Sequence, residues 1–495
     1  MKNGKIILLI SGLVYVFYHL STLKFAPLPW FDEVCFASMT LDFLHHHTFF
    51  DTSRSISLPD QILAYGPVYF VFQSWIVGFL GFNMFSFRIL NMLCGFVDLY
   101  LLFNLFRQFK IKDKVVYLAI ALIALDPSFN MDLHSGRMEF VALLFVLLSF
   151  TMFLSISLSP GGTIGRSVLS GVFLALALLT TPRVIFLSSF YIFHFIYDFF
   201  NRGKGKYSFI LKYVIIFFVV FAMYLVWMFY AFGGPTGYYH YYVDSPLLMK
   251  HVGYHDDSTQ FNFKRYYLYL NIYILTLLGL LVWKKQWKDI VQIILFCLPP
   301  IVFFIIIVNS ASDFYNALII PFKATLIAVI SNTEGIKSRI LKYANVLILV
   351  FFGGIFVFKS AGIFADLEYR NPTYFESKIC HYLTPKTPVF ADYQYFYMVA
   401  NTNGDYEAVA NNGTLSDQVD FLRKNKVPVI ILNKYTVAQH AYPQAYVDSN
   451  YVMVDQVEKK GSSPLSRLFK LLPAHVNDDY ACCIFQLKST AVIQH

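Results

Sequence analysis

Runs of about 17 to 25 apolar residues, divided by short polar or cationic stretches, recur over roughly the first 360 positions of the chain. That is the length an α-helix needs to cross a hydrocarbon core of ~30 Å. The pattern predicts eleven spans, near 6–23, 86–107, 115–130, 139–158, 167–181, 183–200, 209–232, 265–283, 290–308, 313–331 and 343–359. A further run, 66–82, is also apolar, but it is short, begins beside Pro67 and contains Gln73. It is predicted to dip into the membrane or lie along the interface without reversing the topology. Lys2 and Lys5 precede the first run as in a signal sequence, yet no small-x-small cleavage site follows, so the run reads as an uncleaved first helix.

The pattern changes sharply after residue 359. Asn, Asp, Pro and Lys are scattered throughout, with strand-like runs at Pro388–Phe390, Val427–Leu432 and Ala481–Leu487 and a helix-like stretch at Leu415–Lys424. The expected organisation is a transmembrane module over 1–359 and a small extracytoplasmic α/β domain over 360–495.

Loop charge orients the module. The N-terminus and the clusters Lys110/Lys112/Lys114, Arg202/Lys204/Lys206, Lys284/Lys285/Lys288 and Lys337/Arg339/Lys342 all fall on one side if eleven spans cross. Cationic short loops mark the cytoplasmic face. The outer face then receives residues 24–85, 131–138 and 233–264 and the C-terminal domain. The expected location is a plasma membrane, with a bacterial inner membrane as the setting.

Composition supports this picture. Hydrophobic residues make up 57% of the 495 and charged residues only 14%, against the ~25% charged usual in soluble domains. The net charge of +9 is accounted for by the loop cations, so nucleic acid is not expected as a partner. Cys94 and Cys297 sit inside apolar runs, whereas Cys380 could bridge to Cys482 or Cys483. No P-loop, GxGxxG, HExxH or CxxC occurs, which argues against an ATP-driven pump or a Rossmann-type nucleotide-sugar enzyme.

The outer loops carry the candidate chemistry. Asp32 and Glu33 follow Pro29-Trp30-Phe31 and precede a stretch, Val34–Leu44, predicted as an amphipathic helix on the membrane surface. Carboxylates at its start suit the helix dipole. The second loop, Asp132-Leu133-His134-Ser135-Gly136-Arg137-Met138-Glu139, places Arg137 and Glu139 on the same side. Arg88, Arg183, Lys264 and Arg265 add cations there. An arginine fork matches phosphate oxygens, although each cation could equally anchor at the interface. Two histidine groups, His45-His46-His47 and His240 with His251, His255, Asp256 and Asp257, have poor spacing for a metal. The Tyr-rich stretch around His240 is suited either to stacking on sugar rings or to lying in the headgroups.

These residues resemble a known family: the multi-spanning, GT-C-like glycosyltransferases that use polyprenyl-phosphate-linked sugars, among them protein O-mannosyltransferases and the lipid A aminoarabinose transferase. The resemblance is carried by Phe31-Asp32-Glu33, Tyr65-Gly66-Pro67-Val68-Tyr69-Phe70, Phe87-Arg88, Gly136-Arg137-Met138-Glu139, Leu179-Thr180-Thr181-Pro182-Arg183 and Tyr315 through Pro321. It departs where Tyr65-Gly66-Pro67 replaces the commoner His-Pro-Pro and where Glu139 replaces Asp. It implies an inverting transferase on the outer side of the membrane with Asp32 as general base. Glu33, Tyr65, Arg88, Arg137, Glu139, Arg183, Lys264 and Arg265 are then the expected substrate-binding residues, with Glu33 orienting substrate or pairing with a cation. With this many cations around the leaving phosphate no divalent metal or other cofactor is required. The implied partners are a lipid-linked sugar donor, membrane lipids and a glycan, lipid or protein acceptor. The rival class is a polytopic transporter or flippase, for which Asp98 is one possible mid-span acid, with no matching partner in the second half of the chain.

Overall fold

The computed structural model describes residues 2–53, 61–63, 65–158, 163–201, 208–243, 264–307, 315–368, 370–404, 409–410, 414–458 and 480–488. Fifteen helices precede the C-terminal region within these residues: α1 Lys2–Thr22, α2 Phe31–His46, α3 Val68–Leu80, α4 Met84–Gln108, α5 Asp113–Ala124, α6 Pro127–Leu133, α7 Glu139–Leu158, α8 Thr163–Leu178, α9 Ser189–Asn201, α10 Ser208–Phe232, α11 Pro235–Val243, α12 Lys264–Trp283, α13 Val291–Ile307, α14 Asn316–Ser331 and α15 Arg339–Ala365. Some of their starts are encoded locally. Asn83 and Ser86 form a reciprocal capping box at α4, and Asp126 caps α6 through the Ser128 and Phe129 amides with Pro127 in the first turn.

Each of the eleven expected spans coincides with a helix. Among the described residues five are long and apolar enough to cross by themselves, and the bent pair α5–α6, angled by 63°, makes a sixth. Helices α8, α13 and α14 are apolar but shorter, as is the Leu268–Trp283 part of α12. α14 is buried along all of its 16 residues and packs against α5, α12 and α13, so it lies at the centre of the bundle. α3 has 13 residues, about 20 Å at 1.5 Å per residue, well short of a ~30 Å hydrocarbon core. Its Gln73 donates to the carbonyls of Ser86 and Phe87, fastening it to the start of α4, while Trp75 and Phe79 point outward.

Two expectations are corrected here. Helix α2 is not an amphipathic helix on a surface, because residues Glu33 through Asp42 are buried without interruption. The Cys380 bridge does not form. The Cys380 thiol donates to the Ser377 carbonyl, and Cys482 and Cys483 are free and buried.

The C-terminal region is built on a five-stranded sheet: β1 Val389–Ala391, β2 Val409–Ala410, β3 Val429–Asn433, β4 Tyr451–Val457 and β5 Cys482–Leu487, in the order β2-β1-β3-β5-β4. β1 runs parallel to β2 and β3, and β5 runs antiparallel to β3 and β4. The helices of this region are α16 Pro372–Ile379, α17 Phe396–Asn403, α18 Leu415–Lys424, α19 Lys434–Ala438 and α20 Gln444–Asn450. Three strand-like runs and one helix read from the sequence are thus present. β4 escaped because it is a bulged edge strand whose exposed face carries Val452, Met453 and Val454, which breaks the alternation. The sheet region lies directly over the start of α2 and α4: Phe31 packs on Tyr393, Phe82 and Phe87 on Tyr397, and Tyr480 reaches the Met84 sulfur.

Candidate active site

The first turn of α2 and the loop between α6 and α7 meet at one ion cluster. Arg137 Nη1 donates to Asp32 Oδ2 at 2.5 Å, while Arg137 Nε and Nη2 grip the two Glu139 oxygens at 3.0 and 2.6 Å. The guanidinium lies between the rings of Trp30 and Tyr315, 5.1 and 5.3 Å from their centroids. Exposure separates the members: the Arg137 side chain is 1% exposed and that of Glu139 3%, but that of Asp32 is 32% exposed. Burial alone would lower the Arg137 pKa, yet the Glu139 and Asp32 carboxylates together raise it, so its charge is fixed. The cluster therefore presents one accessible carboxylate, Asp32, held from behind by a buried cation. Arg137 does not offer its fork to a phosphate as expected, because that fork already faces two carboxylates.

The α6–α7 loop is held rigidly. The Tyr69 hydroxyl donates to the Gly136 carbonyl at 2.8 Å, and Asn91 donates to the Asp132 carbonyl at 2.6 Å. His134 Nδ1 donates to the Ala26 carbonyl at 2.8 Å, so in its neutral form Nε2 accepts from His19 Nδ1 at 2.7 Å. Burial lowers the His134 pKa to about 4, which keeps that form at neutral pH.

Beside this cluster stands a second cation of different character. Arg183, half-buried, stacks on Tyr65 and Tyr315 at 5.6 and 4.7 Å. Among the described residues no carboxylate pairs with it. Tyr315 touches both arginines, and the Tyr65 phenol feels the charges of Arg183, Asp32, Arg137 and Glu139, so all of these groups occupy one locality. Tyr65 reaches Arg183 because Gly66 abuts the Leu179–Arg183 turn. A Cβ at Gly66 would stand 2.0 Å from the Leu179 carbonyl oxygen, which accepts from the Val68 amide at 3.2 Å. A second tie comes from α11, where the Tyr241 hydroxyl accepts from the Leu63 amide at 2.7 Å and donates to the Gln61 carbonyl at 3.1 Å.

Other expected site residues lie elsewhere. Glu33 and Arg88 form a bidentate pair at 2.8 Å with both side chains 0% exposed, so neither presents an atom to a ligand. Lys264 and Arg265 open α12, but their side chains lie outside the described residues, as do His251, His255, Asp256 and Asp257. His45, His46 and His47 are exposed at the end of α2, and His46 meets Asp42. Among the described residues no group of three or more His, Cys, Asp or Glu is arranged to hold a metal ion. Asp98 stands ten residues along α4 from Arg88, about 15 Å, and its oxygens meet no partner among the described residues.

The same architecture exists in solved structures. ArnT from Cupriavidus metallidurans, in the apo state, matches with a TM-score of 0.57 and 13% identity over 98% of this chain and 98% of that one. ArnT from the same organism bound to undecaprenyl phosphate matches with a TM-score of 0.55 and 12% identity, again over 98% of each chain. The chain has the GT-C fold. No protein-family model matches its sequence, and no curated protein does.

Within this GT-C fold the sequence had pointed to Asp32, Arg137, Glu139, Tyr65 and Arg183, which the structure gathers. Trp30 and Tyr315 went unassigned although both belong to quoted motifs, since only their stacking on the arginines reveals a part in the cluster. The Gly66 approach can be tested directly. Gly66→Ala is expected to destabilise the protein by about 1–3 kcal/mol through overpacking against backbone. Gly12→Ala, where a Cβ would meet nothing within 4 Å, should leave the thermal midpoint in detergent unchanged. Equal midpoints for the two variants would show that the approach does not hold the turn.

Proposed function

We propose that this chain transfers a sugar from a polyprenyl-phosphate-linked donor to an acceptor hydroxyl, with inversion, on the outer side of a bacterial inner membrane. One observation carries the reading. An accessible carboxylate, Asp32, stands beside an arginine without a carboxylate partner among the described residues, Arg183, at the end of an apolar helix bundle. A base for a hydroxyl and a cation for a phosphate, set next to lipid, suit a donor with a phosphate head and a greasy tail. The likeness to a protein seen bound to undecaprenyl phosphate supports the same choice of ligand.

In the proposed step Asp32 removes the acceptor hydroxyl proton as that oxygen forms a bond to the anomeric carbon. The bond from that carbon to the phosphate oxygen breaks, and polyprenyl phosphate leaves with the electron pair. Negative charge grows on the phosphate during this step, and a fixed cation placed there stabilises the transition state more than the ground state. Arg183 takes that role, with Lys264 and Arg265 as further candidates. Arg137 and Glu139 fix the orientation of Asp32. The residues from 360 onward act as an outer domain over this site.

Transfer of labelled sugar from a polyprenyl-phosphate donor by the purified protein, into a membrane extract offering glycan, lipid and protein acceptors, tests the reading and identifies the acceptor. No transfer from any such donor would overturn it. For Arg183 the expectation is narrower. A hydrogen bond to a charged group contributes about 1.5–3 kcal/mol, so Arg183→Gln should lower kcat/KM for the donor by about 10- to 100-fold, with kcat falling as well. It should weaken inhibition by free polyprenyl phosphate in parallel. An unchanged inhibition constant would remove Arg183 from the phosphate.

A further inference from the structure

Glu33 is next to Asp32 yet buried away from the reacting groups, and the chemistry above leaves it unused. Its oxygens receive Arg88 Nε and Nη2, while Arg88 Nη1 donates to the Leu23 carbonyl at 3.0 Å. A third donor comes from 364 residues away: the Tyr397 hydroxyl meets Glu33 Oε1 at 3.3 Å. Tyr397 is the second residue of α17, in the sheet region, and its buried ring packs on Phe82 and Phe87 at 5.1 and 6.1 Å. Burial, then the Glu33 carboxylate, raises the Tyr397 pKa well above its usual value, so its hydroxyl stays protonated and donates. Gly136 closes the arrangement from the far side, where a Cβ would come within 3.1 Å of Glu33 Cγ and 2.2 Å of the Phe87 ring. The first turn of α2 is thus held by α4, the α6–α7 loop and the sheet region together.

We propose that Tyr397 is a positioning residue for the transfer reaction, through which the C-terminal sheet region sets the first turn of α2 and so the placement of the Asp32 carboxylate. This rests on the proposed reading of Asp32 as base. Asp32 and Glu33 are consecutive on one helical turn, so an anchor on one fixes the direction of the other. A catalytic group must be held in a near-attack geometry, and a displacement of ~1 Å can cost ~10²-fold in rate. The sheet region is then a working part of the active site rather than only a cover over it.

The test is Tyr397→Phe, which removes one hydroxyl and keeps the ring against Phe82 and Phe87, compared with Tyr480→Phe. The latter removes a hydroxyl from the same interface, where it meets the Met84 sulfur at 4.0 Å. The expected result for Tyr397→Phe is a kcat lowered by about 10- to 100-fold, with the donor KM within about twofold of wild type. Tyr480→Phe should keep the wild-type kcat. An unchanged kcat in Tyr397→Phe, or equal losses of kcat in the two variants, would overturn the inference while leaving Asp32 as base. A wild-type protein that transfers no sugar would overturn the reading of the site and this inference with it.

Discussion

Asp32→Asn is expected to lower kcat for sugar transfer by about 10²–10⁴-fold, the usual contribution of a positioned base, while the protein folds and elutes from a sizing column as wild type does. An asparagine carbonyl can still accept from Arg137 Nη1, as Asp32 Oδ2 does now, so the shape of the cluster survives. The amide cannot take a proton from an attacking hydroxyl. The other carboxylate held by Arg137 is Glu139, but it is only 3% exposed and both of its oxygens are engaged by Arg137. Within the described cluster no second accessible carboxylate stands ready to substitute. Steady-state transfer rates on purified wild type and variant decide the matter, and activity in Asp32→Asn within a few-fold of wild type would place the base elsewhere.

The largest loss of stability is expected from Arg88→Met. Arg88 and Glu33 are both 0% exposed, so solvent screens neither charge. Removing one partner of a buried pair leaves an uncompensated charge, which typically costs about 3–5 kcal/mol. Methionine fills much of the volume, yet among the described residues Glu33 would retain only the Tyr397 hydroxyl as a side-chain donor. Exchanging both charges, in Glu33→Gln/Arg88→Met, should recover much of the loss, because no unpaired ion then remains. The contrast is Lys112 with Glu334, 79% and 87% exposed, whose removal should be barely measurable. Denaturant unfolding in detergent separates these cases, and an Arg88→Met variant as stable as wild type would show that Glu33 finds other compensation.

The helices were legible because apolar runs of membrane length leave few alternatives. The burial of α2 was not legible, since its sequence mixes polar and apolar residues as a surface helix does. The structure explains how they are buried. Ser38 and Thr40 donate to the carbonyls of Cys35 and Phe36, and Asp42 receives His46, Thr48 and the Phe50 amide. Polar groups satisfied within a few residues can enter a core, and hydropathy does not register such bonds. The candidate site was legible as a coincidence of loops on one face, and Asp32, Arg137, Glu139, Tyr65 and Arg183 do converge. What the sequence could not assign was allegiance. Arg137 and Arg183 read alike as outer-loop cations, yet one is consumed by two carboxylates while the other is stacked between tyrosines. Tyr397 lay beyond reach because it joins the site from a region without a motif, by a contact that only the tertiary fold creates.

The central claim is a direct displacement at the anomeric carbon assisted by one carboxylate. The anomeric configuration of the product made by the wild-type protein, read by NMR against that of the polyprenyl-phosphate donor, tests it most directly. The account requires the opposite configuration in the product, with one polyprenyl phosphate released for each sugar transferred. Retention of the donor configuration would contradict it.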